Sequence, residues 1–366
     1  MIYLDNAATT LRKPQAVLDA VRSAMAQFAN PGRGDYRASV KAGEAVYAAR
    51  KLAGRLFDCD TEKVCFTFNA THGLNIAIRS LVGKGDKVVI SGLEHNAVTR
   101  PLAALGAKVS VVRAPLFSGD QWIEAFQRAL KDPPKAVVCT HVSNVFGAVL
   151  PIEEIADLCA ERDVPLIVDA SQSAGVLPVT LRRWKASFAA MPGHKALLGP
   201  QGTGLLLCGR LPEPLLYGGT GSYSMDQHMP PELPDRIEAG TLNVPGICGL
   251  GAALRFLLSR DASNALRWEK SLIGSCAEGL KELGAEVFSG SRQSGVLSFN
   301  FPGKDPEEVC AAFGRREIAL RAGLHCAPLA HETAGTLPEG TVRLSVSPLT
   351  QRKEIDHFLR ISKELI

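Results

Sequence analysis

The sequence has no apolar run long enough to cross a membrane. Its longest uncharged stretch, Ala136 to Ile152, is too short for a span and carries Thr140, His141, Ser143, Asn144, Gly147 and Pro151. It also lacks an opening basic cluster followed by an apolar core, because MIYLDNAATT reaches an aspartate at position five, so no secretory signal is expected. Blocks of basic residues are absent too. Forty-one Lys and Arg against 37 Asp and Glu leave a formal charge of +4 spread along the chain, which argues against nucleic acid as a partner. The nine cysteines include no C-x-x-C pair, which argues against a disulfide framework and a structural zinc site and predicts reduced thiols in a cytoplasmic protein.

What is present is an ordinary folded composition, 46% hydrophobic and 21% charged. At ~150 residues per domain the length predicts two domains. Uniformly apolar runs, KVCFTF at 63–68, KVVIS at 87–91, KVSVV at 108–112, AVVCTH at 136–141 and PLIVD at 165–169, read as buried parallel strands. Helical patterns lie between them, as in Trp122, Phe126 and Leu130 or Ile152, Ile155, Ala156 and Cys159, and repeated βα units imply an α/β fold. An opening helix after Pro14 presents Val17, Leu18, Val21, Met25 and Phe28 at helical spacing and is expected to pack on the main domain. From 209 to 246 a stretch rich in Gly, Pro and Ser replaces periodic structure, and a loop of that length is usually functional or disordered. Beyond it, helices near 246–260 and 264–283, strands near 294–301 and 341–347 and a closing helix from Gln351 predict a smaller α+β domain.

Six places could carry chemistry. Lys195, in Met191-Pro192-Gly193-His194-Lys195 before a Gly-rich turn, is an amine that desolvation would make nucleophilic and fit for Schiff-base chemistry. Asp169 ends a strand, where its carboxylate can emerge at the ligand-binding edge of a parallel sheet and pair with a pyridinium nitrogen. Asn69-Ala70-Thr71 follows a strand and opens a helix, so its N–H groups and the Thr71 hydroxyl could hold a phosphate. His95 also follows a strand and could stack on a flat ring. Cys326 sits between His325 and an Ala-Pro turn, with Arg321 nearby in sequence, as a reactive thiol would. Arg343 lies in a short β-like run suited to gripping a carboxylate. Each also has a plain structural reading: a surface lysine, a helix cap or loop ion pair for Asp169, an N-cap for Thr71, a structural histidine, a buried cysteine, an interdomain salt bridge for Arg343. The glycines 199, 202 and 204 lack the dinucleotide-binding spacing.

Taken in order, from Tyr3-Leu4-Asp5-Asn6-Ala7-Ala8-Thr9 to Arg343, these residues resemble the class V aminotransferase family of pyridoxal 5'-phosphate enzymes, and within it the cysteine desulfurases. The resemblance implies the type I fold of such enzymes: an N-terminal segment 1–15, a large cofactor-binding domain 16–245 with a mostly parallel sheet flanked by helices, and a small α+β domain 246–366. It implies that Lys195 carries the cofactor, Asp169 pairs with its ring nitrogen, Gln172 with its ring hydroxyl, and His95 stacks on the ring. Ala70, Thr71, His194 and Asn144 fall on cofactor positions, and Thr241, in Glu238-Ala239-Gly240-Thr241, resembles a residue that reaches the phosphate of a neighbouring subunit, which implies a homodimer. The R-x-G-x-H-C-A run is similar to the group II, SUF-type and selenocysteine-lyase-like branch, in which Cys326 would take sulfur as a persulfide. Arg343 and Asn144 would then hold the substrate, with Arg321 near the reacting loop.

The implied activity converts L-cysteine to L-alanine and passes sulfur to an acceptor protein, iron–sulfur cluster assembly being one destination. Two positions depart from the pattern: Pro192 stands where these enzymes usually carry a phosphate-binding Ser, and Leu324 where the group II motif usually has a first histidine. A selenocysteine lyase, another class V enzyme such as a transaminase or epimerase, and a cofactor-binding scaffold are the rival readings.

Overall fold

The apolar runs become neighbours in one seven-stranded sheet of the computed structural model, which describes residues 1–32 and 34–365. Across the sheet the order is β2 (Val64–Thr67), β8 (Gly204–Cys208), β7 (Phe188–Pro192), β6 (Leu166–Asp169), β5 (Ala136–Thr140), β3 (Lys87–Ser91) and β4 (Lys108–Val112). Strands β7, β6, β5, β3 and β4 run parallel, while β8 runs against both its neighbours. Alternate side chains of the central strands enter two separate cores. Val89, Val137, Cys139 and Val168 pack with α2 (Arg37–Leu56), α5 (Gly119–Ala129) and α6 (Ile152–Ala160) on one face. Val88, Ile90, Val138 and Ile167 pack with α3 (Ala70–Leu81) and α4 (Asn96–Leu105) on the other. Burial on both faces is why these runs show no alternation.

Four expectations are corrected. KVCFTF is buried and runs in the direction of β7, but it is not in the sheet's interior: β2 is an edge strand whose one strand partner, β8, runs against it, because the chain turns straight back after β7. Its edge is nonetheless buried, since Glu238 accepts the Phe66 N–H at 2.6 Å and forms a two-pronged ion pair with Arg50. KVSVV is buried only at its end; β4 is the opposite edge, and its first three residues are exposed. The opening helix α1 (Gln15–Gln27) buries Val17 and Ala24, but Leu18 and Met25 are exposed. That helix packs on α8 (Val244–Leu258), which offers a narrower apolar strip than the sequence pattern suggests. The division expected at 245/246 falls inside α8, whose Ile247, Leu250 and Leu254 bury in the large-sheet core.

A second sheet, β12 (Val342–Ser345), β10 (Val296–Asn300) and β9 (Glu286–Phe288), is antiparallel and packs with α9 (Ala262–Glu282), α10 (Pro306–Gly314) and α12 (Arg352–Leu365). The first residues of the chain join it: β1 (Ile2–Tyr3) pairs with β11 (Ile318–Ala319), and Leu4 enters the same core. Short helices α7 (Leu181–Trp184) and α11 (Pro328–Ala334) complete the described set, with neither helix nor strand assigned between Cys208 and Val244. No described helix is long and apolar enough to cross a membrane.

Candidate active site

Strand order reverses between β3 and β5, and the loops leaving the carboxyl ends of these strands and of β2, β6 and β7 line a cavity that opens to solvent. In open α/β sheets such a reversal is where ligands bind. Eight of the residues singled out in the sequence line it: Ala70, Thr71, His95, Asn144, Asp169, Gln172, His194 and Lys195.

Lys195 follows β7 on the turn that leads to β8. Its pKa is lowered to about 8, first by desolvation of the amine and then by Arg343 and Arg321, against the opposing pull of Asp169 and Cys326. Asp169 ends β6 with 3% of its surface exposed, and its Oδ1 accepts the Ser171 N–H at 2.9 Å. Neither salt bridge nor other cation holds Asp169 among the described residues, so its charge is directed into the cavity.

Asn69, rather than Thr71, caps α3 by accepting the His72 N–H at 2.9 Å. The Thr71 side chain is therefore not consumed by capping and lines the cavity at the helix N-terminus, where backbone N–H groups favour an anion. His95 caps α4 through Nδ1, which accepts the Ala97 N–H at 2.9 Å; this places the ring proton on Nε2. Burial lowers the His95 pKa, so the ring is neutral at pH 7. His194 is likewise pushed down, to about 4, by burial and by Lys195 and Lys13, and its Nδ1 is buried with no partner among the described residues. Gln172 is oriented by donating to the Ala7 carbonyl at 2.9 Å.

Four expected site residues lie outside this cavity. Thr241 is exposed and lines a different hollow, with Phe66, Phe68 and His72. Cys326 is the one exposed cysteine of the nine, and it sits with His325 at positive φ (57° and 50°) in a tight turn. That turn is fastened beside the cavity: Asn96 N donates to the Cys326 carbonyl at 2.7 Å and Asn144 Nδ2 to the His325 carbonyl at 2.8 Å. Arg343 is 3% exposed in β12 and donates to the Asn144 carbonyl at 3.0 Å and to Asp5 at 2.7 Å, while Arg321 meets the other Asp5 oxygen at 3.0 Å.

Two carboxylates carry more of this geometry than the sequence suggested. Asp5 was visible only as part of the N-terminal run, and nothing local in sequence pairs it with residues more than 300 positions away. Glu94, beside His95, is fully buried with its pKa raised to about 8 by burial; it accepts from Ser91 Oγ and Thr140 N and ties β3 to β5. Pro192, the departure from the family pattern, closes β7 opposite Gly204 and lines the same cavity.

The family model described as aminotransferase class-V matches residues 2–358. A probable cysteine desulfurase of Pyrococcus abyssi is 30% identical over 383 residues, spanning 100% of this chain and 94% of that protein. Another from Methanothermobacter thermautotrophicus is 32% identical, spanning 97% of this chain and 92% of its own. Among solved structures, the apo form of a cysteine desulfurase from Thermococcus onnurineus NA1 superposes with a TM-score of 0.92 at 32% identity, covering 100% of this chain and 94% of that one. The cysteine desulfurase CsdA from Escherichia coli superposes at 0.87 with 26% identity, covering 99% and 94%.

Proposed function

The chain belongs to the class V aminotransferase family, and from that premise we propose that it is a pyridoxal-phosphate-dependent cysteine desulfurase. One observation carries the reading: a desolvated amine and an unpaired carboxylate face one cavity, and the protein's exposed thiol sits on a turn fastened to that cavity's rim.

The residues fit the cofactor. Lys195 offers the amine, Asp169 an anion for a protonated ring nitrogen, and the α3 N-terminus with Thr71 and the unpartnered His194 Nδ1 offers donors for a phosphate. Pro192 supplies neither hydroxyl nor N–H, so the phosphate would depend on those other donors. Bound pyridoxal phosphate supplies an electrophilic carbonyl and an electron sink for charge developing at Cα. Lys195, with a pKa near 8, can take the Cα proton of L-cysteine close to neutral pH. Asp169 stabilises positive charge across the cavity, and His95 presents an N–H on Nε2. Arg343 and Asn144 hold the substrate carboxylate near the Cys326 turn.

Cys326 then attacks the substrate sulfur. The Cβ–S bond breaks, a persulfide forms on Cys326, and the carbon skeleton leaves as L-alanine after protonation; atoms balance with no outside oxidant. Exposure of Cys326 lets an acceptor protein collect the sulfur. Its R-x-G-x-H-C-A run supports placement in the group II branch, and the free thiols support a cytoplasmic setting. The test is alanine and sulfide production from L-cysteine by the yellow holoenzyme and by Cys326→Ala. The variant should keep the cofactor absorbance and lose desulfuration at least about a hundredfold; normal persulfide formation without Cys326 would overturn the assignment.

A further inference from the structure

Arg343, proposed above to hold the substrate carboxylate, already holds one within the protein. Its guanidinium is 3% exposed, with Nη1 on the Asn144 carbonyl at 3.0 Å and Nη2 on Asp5 Oδ1 at 2.7 Å. Its Nε is buried and has no partner among the described residues. The second Asp5 oxygen accepts from Arg321 Nε at 3.0 Å. Two guanidinium groups therefore share one carboxylate, and a surplus positive charge is left beside the Lys195 amine, whose pKa both arginines depress.

Asp5 has no freedom to move away. Its backbone bridges Ser345 in the strand that carries Arg343, and the flanking residues lace into the same strand: Asn6 Nδ2 donates to the Ser345 carbonyl at 2.9 Å, Ala7 N to Ser345 Oγ at 2.8 Å and Ser345 N to the Leu4 carbonyl at 2.7 Å. Arg321 and Arg343 are joined by a backbone bridge of their own. A planar guanidinium held at two of its nitrogens cannot rotate, so the position of its third is fixed.

We propose that Asp5 is a positioning residue for substrate recognition: it clamps Arg343 against Asn144 so that the unpartnered Nε edge meets the α-carboxylate of an amino acid substrate. The alternative role for Asp5, a built-in competitor for that carboxylate, predicts the opposite effect of removing its charge. A buried guanidinium with a spare donor is completed by an incoming anion, and a substrate lacking the carboxylate forgoes that gain. The inference rests on the desulfurase reading for its substrate, and on the geometry alone for its ligand class.

The test compares holoenzyme carrying Asp5→Asn or Asp5→Glu with wild type. Asp5→Asn should raise KM for L-cysteine about tenfold or more while kcat falls less than about threefold, the pattern of lost substrate binding. Asp5→Glu, which restores the charge on a longer arm, should recover part of the KM. Inhibition by L-alanine should weaken in Asp5→Asn, whereas inhibition by 2-aminoethanethiol, which has no carboxylate, should not. A KM that is unchanged or lower, or equal weakening of both inhibitors, overturns the proposal. If Asp5→Asn does not fold, the ratio of the two inhibition constants in Asp5→Glu decides in the same way. Wild type that makes no alanine from L-cysteine would refute the desulfurase reading, and binding of L-alanine against ethylamine would still read the carboxylate clamp.

Discussion

At the scale of single residues, Lys195 shows what burial does to chemistry. An ordinary lysine is almost wholly protonated at pH 7, but loss of hydration lowers this one to about 8, with Asp169 resisting the shift and Arg343 and Arg321 adding to it. The sign follows directly: below pH 8 the charged form dominates and the nucleophilic amine is the minority species. We therefore expect the rate at which the cofactor-free protein captures pyridoxal phosphate to rise about tenfold per pH unit below 8 and to level off above it. Stopped-flow absorbance between pH 6 and 9.5 measures this, and a rate still climbing steadily through pH 9.5 would show an unperturbed lysine. Most of the cavity's residues were legible in sequence because each sits at or just after the end of an apolar strand: Thr71, His95 and Asn144 follow one and Asp169 ends one. Asp5 was not, because its role is set by pairing across the chain with Arg321 and Arg343.

At the scale of elements, the Cys326 turn depends on a glycine that does not line the Lys195 cavity. Gly340 has φ +79°, and a Cβ there would run into the backbone of Gly323, whose N–H and carbonyl pair with Thr341. Gly340→Ala should therefore cost about 1–3 kcal/mol of stability from the left-handed backbone and the clash together. It should also slow Cys326 alkylation or persulfide formation while cofactor absorbance persists; a melting temperature and thiol reactivity equal to wild type would refute this. The closing helices and strands were readable from their periodicity, and their positions agree with the structure to within a few residues. The place of β2 was not, because apolar runs report burial and not neighbours; the return of β8 inserts a reversed strand between β7 and β2 and leaves β2 at the edge. Exposure of β4 was hidden for the same reason, since Val109 and Val111 look like core until the sheet's edge is located.

At the scale of the whole molecule, Thr241 raises the question of how many chains make one site. It lies outside the Lys195 cavity of its own chain, on a stretch where Tyr217 is 74% and Met225 97% exposed, and Tyr223 and Phe68 are also exposed. Phe68 lines the same hollow as Thr241, and exposed large apolar side chains of this kind are what a second copy would cover. Light scattering should therefore give twice 39.0 kDa. A hybrid decides whether Thr241 serves the neighbour. Chains carrying Lys195→Ala and chains carrying Thr241→Ala are each expected to be impaired alone. Mixed in one dimer, the Thr241→Ala chain keeps its own Lys195 and borrows an intact Thr241 from its partner, so one site becomes whole. If Thr241 reaches across, hybrids purified with two affinity tags recover wild-type cofactor affinity at one site per dimer. If Thr241 acts within its own chain, the hybrid has no complete site, and its affinity stays that of the Thr241→Ala parent.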